Sequence, residues 1–212
     1  MRLTPRDRQV LDALCNRVRV LSLSQIASAW WIGVRDAEGG AARRLSKLAE
    51  VDLVRRWSVL ARPLPAIDGP ELSWRPGDAE PDYGAVAWAL QSRWTEGPGA
   101  VWVFVGTKRS AGLLGGRAVG KPKAPLQATH DLGVGEMYVR VMADRPDLLP
   151  RWIGEDVLKP HRKNQKLPDA VIADGPTAVP ELVLEFGGAY DKRRVAAFHR
   201  DCERRQVPYE VW

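Results

Sequence analysis

A run rich in proline, glycine and acidic residues interrupts the chain between Arg62 and Pro81, where it reads PLPAIDGPELSWRPGDAEP. Proline lacks a backbone donor and is excluded from helix interiors and central strands, so this run predicts a connector between two folded parts. We therefore predict an N-terminal domain over residues 1–62, a connector with one helix over 63–100, and a C-terminal domain over 101–212.

Basic residues are concentrated on the N-terminal side of this connector. The 212-residue chain carries 32 Lys and Arg against 26 Asp and Glu, a net charge of +6. Residues 1–62 hold 12 basic and 6 acidic side chains, whereas residues 63–212 hold 20 of each. A positive excess confined to one domain favours a polyanionic partner such as nucleic acid.

Composition excludes several other classes of protein. Hydrophobic residues make up 45% of the chain and charged residues 27%, as in a globular protein with a packed core. No apolar run approaches the ~20 residues that span a bilayer, and the start of the chain lacks the apolar centre of a secretion signal, so we expect a cytoplasmic protein without membrane contact. Cys15 and Cys202 are far apart and predict reduced, buried thiols. The phosphate-binding pattern GxxxxGK[ST] is missing, so no nucleotide is expected as a ligand.

The N-terminal domain contains the signals of three helices and a strand. Thr4, followed by proline, is a typical helix start, and Ser22 or Ser24 restarts a short helix. A Gly-Gly turn at 39–40 is expected before a third helix through AARRLSKLAEVDLV, and LVRRWSVLARPL then predicts a strand. Three helices and a β wing are the order of a winged helix-turn-helix, which binds duplex DNA. The expected fold class is mixed α/β.

The third helix and the wing supply the candidate DNA contacts. The third helix of such a domain enters the major groove, where Arg pairs with guanine edges and Lys with phosphates. The candidates on this helix are Arg43, Arg44 and Lys47, and those on the wing are Arg55 and Arg56. The alternative interpretation is that these cations form the solvated face of an amphipathic helix.

The middle of the chain predicts one helix and one strand. YGAVAWALQSRW has helical spacing of apolar residues, and GPGAVWVFVG predicts an apolar strand. We interpret Trp88, Trp94 and Trp102 as core residues, with stacking on bases as the alternative.

The C-terminal third predicts a helix, three strands, a helix and a strand. The first helix carries Glu136, and His130 near its start is expected to hydrogen-bond to backbone. LPDAVIAD and AVPELVLEFG, split by an Asp-Gly-Pro turn, predict a hairpin that carries Asp169 and Glu185. The basic loop KPHRKNQK between the first two strands predicts a second phosphate contact. Its cations are Lys159, Arg162, Lys163 and Lys166.

This order of elements and acids resembles the restriction-endonuclease-like PD-(D/E)xK nucleases over roughly residues 129–212. The resemblance implies that Asp169 and Glu185 bind Mg²⁺, with Glu136 as a supporting acid. The superfamily has a lysine two residues after the second acid, and here that position is Gly187. Lys192, at the start of the following helix, is the candidate substitute.

The whole layout is also similar to the replication-relaxation family of plasmids and mobile elements, in which a winged helix precedes a nuclease-like domain. The similarity is carried by the Thr129-His130-Asp131-Leu132 step, by Pro168-Asp169-Ala170, and by Leu184-Glu185-Phe186-Gly187 followed by Tyr190 and Lys192. It implies DNA binding linked to replication or to control of a mobile element. With Gly187 at the usual lysine position, we expect a duplex DNA-binding regulator or replication-associated factor whose nuclease-like domain is inactive and which needs no cofactor to bind DNA. A Mg²⁺-dependent DNA endonuclease is the first alternative. A protein-interaction module or antitoxin-like repressor, with a protein partner or a homodimer, is the second.

Overall fold

The computed structural model describes residues 1–116, 127–162 and 166–212. It contains two β-sheets with helices packed around them, so the expected mixed α/β class is confirmed. Within these ranges, no helix is both long and apolar enough to cross a membrane.

The first two helices begin where the sequence predicts. Helix α1 (Pro5–Asp12) is capped by Thr4, whose hydroxyl accepts the Asp7 N–H while the Asp7 carboxylate accepts the Thr4 N–H. A single π-helical turn over Ala13–Arg17 continues α1. Strand β1 (Leu21–Ser22) leads into helix α2 (Leu23–Trp30), which is capped by Ser22 rather than Ser24. These reciprocal caps satisfy backbone donors that helix ends leave free.

Helix α3 (Ala37–Glu50) begins earlier than expected. The predicted turn at Gly39 and Gly40 is wrong, because both glycines lie in the first turns of this helix. Asp36 is the N-cap, and its carboxylate accepts the Gly39 N–H at 3.0 Å. A Cβ atom at position 39 would lie 2.2 Å from an Asp36 carboxylate oxygen, so glycine allows the cap to close.

The first sheet joins residues from both sides of the connector. Strands β2 (Val54–Ala61) and β4 (Gly99–Gly106) pair antiparallel along their full length, and β1 pairs with the other edge of β4. The boundary predicted at residue 101 falls inside β4, and helix α5 (Lys108–Leu114) follows directly. The three-part division of the chain stays a prediction.

The second sheet consists of β3 (Leu72–Trp74), β5 (Trp152–Gly154), β6 (Ala170–Ile172), β7 (Leu182–Glu185) and β8 (Tyr209–Val211), in the strand order β3-β8-β7-β6-β5. Strands β7 and β8 are parallel and the other pairs are antiparallel, so the predicted hairpin of β6 and β7 is confirmed. Helices α6 (Ala128–Asp144) and α8 (Lys192–Arg204) complete the predicted helix and strand order. Helix α7 (Glu155–Leu158) was not predicted, and it follows β5 within RWIGEDVL, a segment whose sequence predicts a strand throughout.

The connector is part of the fold of both sheets. It supplies β3 at the edge of the second sheet and helix α4 (Tyr83–Ser92), which packs against α8 through an apolar cluster that includes Leu90 and Phe198. Helix α6 packs on the first sheet through Leu132 and on the second sheet through Tyr138, whose ring centre lies 5.2 Å from that of Trp152. Because α6 contacts both sheets, it places residues of its first turns at their junction.

The tryptophans only partly follow the core interpretation. Trp94 is half-buried, and its indole N–H donates to the Gly188 carbonyl at 2.8 Å. Trp88 is 72% exposed and Trp102 is 52% exposed, so their assignment to the core is wrong. Trp88 lies on the side of α4 away from Leu90, and Trp102 lies on the open face of β4. The expectation that Cys15 and Cys202 are buried free thiols is confirmed.

Candidate functional site

Helix α3 presents two of its three candidate cations to solvent. Arg43 is exposed and forms a surface pair with Asp36 at 3.1 Å. Lys47 is exposed and has no ion pair among the described residues. Arg44 instead points to α1, where its Nε donates to Asp7 Oδ1 at 2.7 Å and its Nη2 to Asp7 Oδ2. Asp7 is almost fully buried, so Arg44 joins α3 to α1.

Strand β2 exposes both of its candidate cations. Arg55 forms a surface pair with Asp52 at 3.2 Å. The Arg56 guanidinium lies 4.2 Å from the centre of the Trp102 ring, which holds it over the exposed face of the first sheet. We call the exposed cations of α3 and β2 the cationic face, in which the consecutive residues Arg55 and Arg56 leave the strand on opposite sides of the sheet. They are Arg43, Lys47, Arg55 and Arg56.

The predicted basic loop does not form one exposed surface. Lys159 and Lys166 are exposed, and the Lys166 ammonium lies 4.7 Å from the centre of the Phe198 ring. Arg162 is buried, and burial together with the nearby charge of Arg205 lowers its pKa. Lys163 lies outside the described residues.

Two of the predicted catalytic acids meet at the junction of the sheets. Asp169 immediately precedes β6 and Glu185 ends the neighbouring strand β7, so antiparallel pairing brings them together. The Asp169 N–H donates to Glu185 Oε2 at 3.3 Å, and the Glu185 Oε1 atom accepts the hydroxyl of Tyr190. His130, on the first turn of α6, has its Nε2 atom 2.7 Å from Asp169 Oδ1. We call His130, Asp169, Glu185 and Tyr190 the buried cluster.

Burial controls the charge state of this cluster. Burial raises the pKa of Glu185, and the negative charge of Asp169 raises it further, so the protonated carboxyl is favoured. Burial opposes the charged form of His130, but the hydrogen bond and the charge of Asp169 outweigh it and raise the His130 pKa to about 9. At pH 7 these shifts favour a protonated His130 beside Asp169 and a neutral Glu185.

The other nuclease candidates lie elsewhere. The Glu136 carboxylate accepts the Gln25 side-chain N–H at 3.0 Å and lines a different cavity from Asp169. Lys192 is exposed at the start of α8. Backbone N–H groups of Ala85 and Gly84 lower the pKa of Asp82, and Lys192 contributes to the same shift by its charge.

Position 187 has no room for the missing lysine. A Cβ atom there would lie 2.7 Å from Val211 Cγ1 and 2.9 Å from Leu90 Cδ1. Real Cβ contacts are not this close, so a side chain at Gly187 would displace the core between β8 and α4. The packing of this fold therefore requires glycine at position 187, and no lysine stands where the nuclease superfamily has one.

The buried cluster does not fit a Mg²⁺ ion. Asp169 Oδ1 faces His130, and Asp169 Oδ2 accepts the Phe186 N–H at 2.8 Å. Both Glu185 oxygens also accept hydrogen bonds from the protein. Mg²⁺ requires several oxygen ligands in near-octahedral geometry, whereas each of these four oxygens already faces a protein hydrogen-bond donor. His130 supplies the positive charge that the acids face.

A second charge network at the same junction was missed by the sequence reasoning. Arg19 is buried and donates to Asp131 Oδ1 at 2.7 Å, to Glu155 Oε2 at 2.9 Å and to Asp156 Oδ1 at 2.9 Å. The network links the segment after α1 to α6 and α7. The one signal in the sequence is the adjacent acidic pair Glu155-Asp156.

The cavity beside the buried cluster is open to solvent and has both polar and apolar walls. It has a volume of about 650 Å³ and is lined by His130, Asp169, Glu185, Tyr190, Trp94, Arg62 and Arg194, among others. The Arg194 guanidinium lies 3.9 Å from the centre of the Tyr190 ring. Sequence reasoning identified the acids on this wall but not Arg62 or Arg194.

No family model, curated protein or solved structure matches this chain.

Proposed function

We propose that this protein binds duplex DNA through a winged helix-turn-helix formed by α1, α2, α3 and the first sheet. The order helix, strand, two helices, then two long antiparallel strands is the order of that domain. In this chain the excursion between the two long strands is the connector, which adds β3 and α4 to the second sheet.

The observation that carries the proposal is the cationic face. Arg43 and Lys47 are exposed one turn apart on α3, and Arg55 and Arg56 are exposed on β2. Arg43 and Arg55 have only solvent-exposed ion pairs, which contribute little and leave the cations available to a phosphate. Arg44 contributes by fixing α3 against α1, so that the helix enters the groove as a rigid element.

In this mechanism α3 reads the major groove and β2 holds the backbone. Arginine pairs with guanine edges and phosphates through a planar fork, and lysine contacts phosphate as a point charge. Arg56 is pre-oriented by Trp102, so less side-chain freedom is lost when it contacts the backbone.

We further propose that the nuclease-like part has lost its chemistry. Support comes from the four occupied carboxylate oxygens, from the filled space at Gly187, and from the distant positions of Glu136 and Lys192. The resemblance to the replication-relaxation family then favours a regulator or a replication-associated factor of a plasmid or mobile element.

Fluorescence anisotropy with a labelled 30-base-pair duplex of mixed sequence tests the DNA proposal. The test variant is Arg43→Ala with Lys47→Ala. The control is Arg200→Ala with Arg204→Ala, which removes two exposed charges from α8. We expect the α3 variant to bind about tenfold more weakly and to lower the log–log salt slope by about 2, while the control changes Kd less than about twofold. Equal losses in the two variants would mean that net charge alone attracts DNA.

A plasmid assay addresses the endonuclease alternative. Supercoiled plasmid is incubated with the protein in Mg²⁺ or Mn²⁺, with an EDTA control and a Glu185→Gln variant, and mobility shifts are read from the same samples. We expect a shift without nicking in all samples. Nicking that is lost with EDTA and with Glu185→Gln would establish the metal nuclease instead.

A further inference from the structure

A groove on the N-terminal part of the molecule combines arginines with an apolar floor. It has a volume of about 620 Å³ and lies between the start of α1, the end of α3 and helix α5. Arg2, Arg8 and Arg109 line it, and Val51, Leu53 and Leu113 are among the apolar residues between them. None of these arginines belongs to the cationic face.

The three arginines are exposed and have no partner in the described part of the chain. No ion pair or hydrogen bond of their side chains occurs there, and no Asp or Glu lines the groove. Of the neighbouring acids in the sequence, Asp7 pairs with Arg44 and Asp52 with Arg55, while Glu50 is exposed at the end of α3 and does not line the groove. The groove therefore carries a concentrated positive charge that the protein itself does not neutralise.

The groove continues the exposed side of α3. Lys47 and Val51 are four residues apart, which places them one above the other on the same side of a helix. Arg44 Nη2 also donates to the Arg2 carbonyl at 3.2 Å, which fixes the start of the chain beside α3. Lys47 therefore lies on the side of α3 that leads to the groove.

We infer that this groove is a second backbone-binding site, which holds the phosphates of duplex DNA beyond the segment that α3 contacts. The inference rests on the proposed function. Arginine binds phosphate oxygens in a bidentate manner, and three such contacts add to the ionic part of DNA binding. The apolar floor suits the sugars between successive phosphates, so the charge pattern fits a nucleic acid backbone better than a free ion.

The test is the salt dependence of duplex binding by the full chain. Arg2→Ala, Arg8→Ala and Arg109→Ala are combined, and affinity is measured by anisotropy on the 30-base-pair duplex from about 50 to 200 mM salt. Three lost phosphate contacts should lower the log–log slope by about 2 to 3. The matched control combines Arg193→Ala, Arg200→Ala and Arg204→Ala, which removes the same charge from exposed positions of α8.

A charge-preserving variant separates binding from folding. Arg2→Lys, Arg8→Lys and Arg109→Lys together should keep most of the slope, while the alanine variant loses it and both retain the wild-type melting temperature. If the salt slope is unchanged in the alanine variant while the α3 variant loses binding, the inference about the groove is wrong and the proposed function stands. Absence of duplex binding by the wild type would overturn both. Tighter binding of labelled poly-glutamate than of duplex DNA would overturn the groove in favour of an acidic protein partner.

Discussion

The cationic face and the buried cluster use charged residues in opposite ways. On the cationic face, Lys47 and Arg56 are exposed without a carboxylate partner in the described part of the chain. In the buried cluster, His130 and Asp169 neutralise each other at 2.7 Å, away from most of the solvent. In the first arrangement the charges remain available to a ligand, whereas in the second they pair with each other and stabilise the fold. Binding potential is therefore judged from which charges lack partners, and not from how many occur in a segment.

The junction of the two sheets should give the largest effect on stability. Arg19→Ala would leave the buried Asp131 carboxylate without its ion-pair partner, and one of its oxygens already lacks a hydrogen-bond partner in the described residues. Breaking a buried pair by removing one partner typically costs about 3–5 kcal/mol. We expect the free energy of unfolding, measured by urea denaturation at pH 7, to fall by this amount.

An exposed pair supplies the control for this junction. Arg55→Ala removes the partner of Asp52 at the surface, and we expect its unfolding free energy to stay within about 0.5 kcal/mol of the wild type. Equal losses in Arg19→Ala and Arg55→Ala would mean that the junction does not depend on charge pairing.

Much of the fold could be predicted from local sequence signals. Thr4 and Ser22 cap helices as expected, and the Asp-Gly-Pro turn joins β6 and β7. Such signals act within a few residues, so a single sequence carries them. The error at Gly39 has the same origin, because a Gly-Gly pair favours a turn unless a cap such as Asp36 accepts its N–H groups.

The site was less predictable because its geometry depends on distant partners. The pairing of Asp169 with Glu185 followed from the hairpin, but the contact of Asp169 with His130 joins residues 39 positions apart. Arg44 and Arg162 were candidate DNA contacts because of their charge, and packing turned both inward. Amphipathic spacing cannot identify which cation on a helix flank faces another helix.

A pair of substitutions one turn apart on α3 tests whether the inward and outward cations differ. Arg44→Ala leaves the buried Asp7 carboxylate without its cation and should lower the free energy of unfolding by about 2–3 kcal/mol. Lys47→Ala should leave stability within about 0.5 kcal/mol and weaken duplex binding several-fold. Thermal melting and anisotropy on the same samples measure both quantities. The distinction between inward and outward cations is wrong if Arg44→Ala keeps the wild-type melting temperature and its DNA affinity falls as much as that of Lys47→Ala.

The buried cluster should make stability depend on pH, with a smaller effect. The pKa of His130 is raised from 6.5 to about 9, so the folded state binds this proton more tightly than the unfolded state. Its contribution is complete below pH 6.5 and is lost as the pH rises through 9, a difference of about 1–3 kcal/mol. The raised pKa of Glu185 acts in the same direction, because its proton is also held more tightly in the fold.

Urea denaturation between pH 6 and pH 9.5 would measure this loss. His130→Gln keeps a hydrogen-bond donor but cannot titrate, so its unfolding free energy should fall less steeply over this range than that of the wild type. His161→Gln changes an exposed histidine outside the cluster and should reproduce the wild-type curve. Parallel curves for the wild type and His130→Gln would mean that His130 does not carry the charge facing Asp169. The acids would then be free to attract a cation from solution, and the contrast between the cluster and the cationic face would no longer hold.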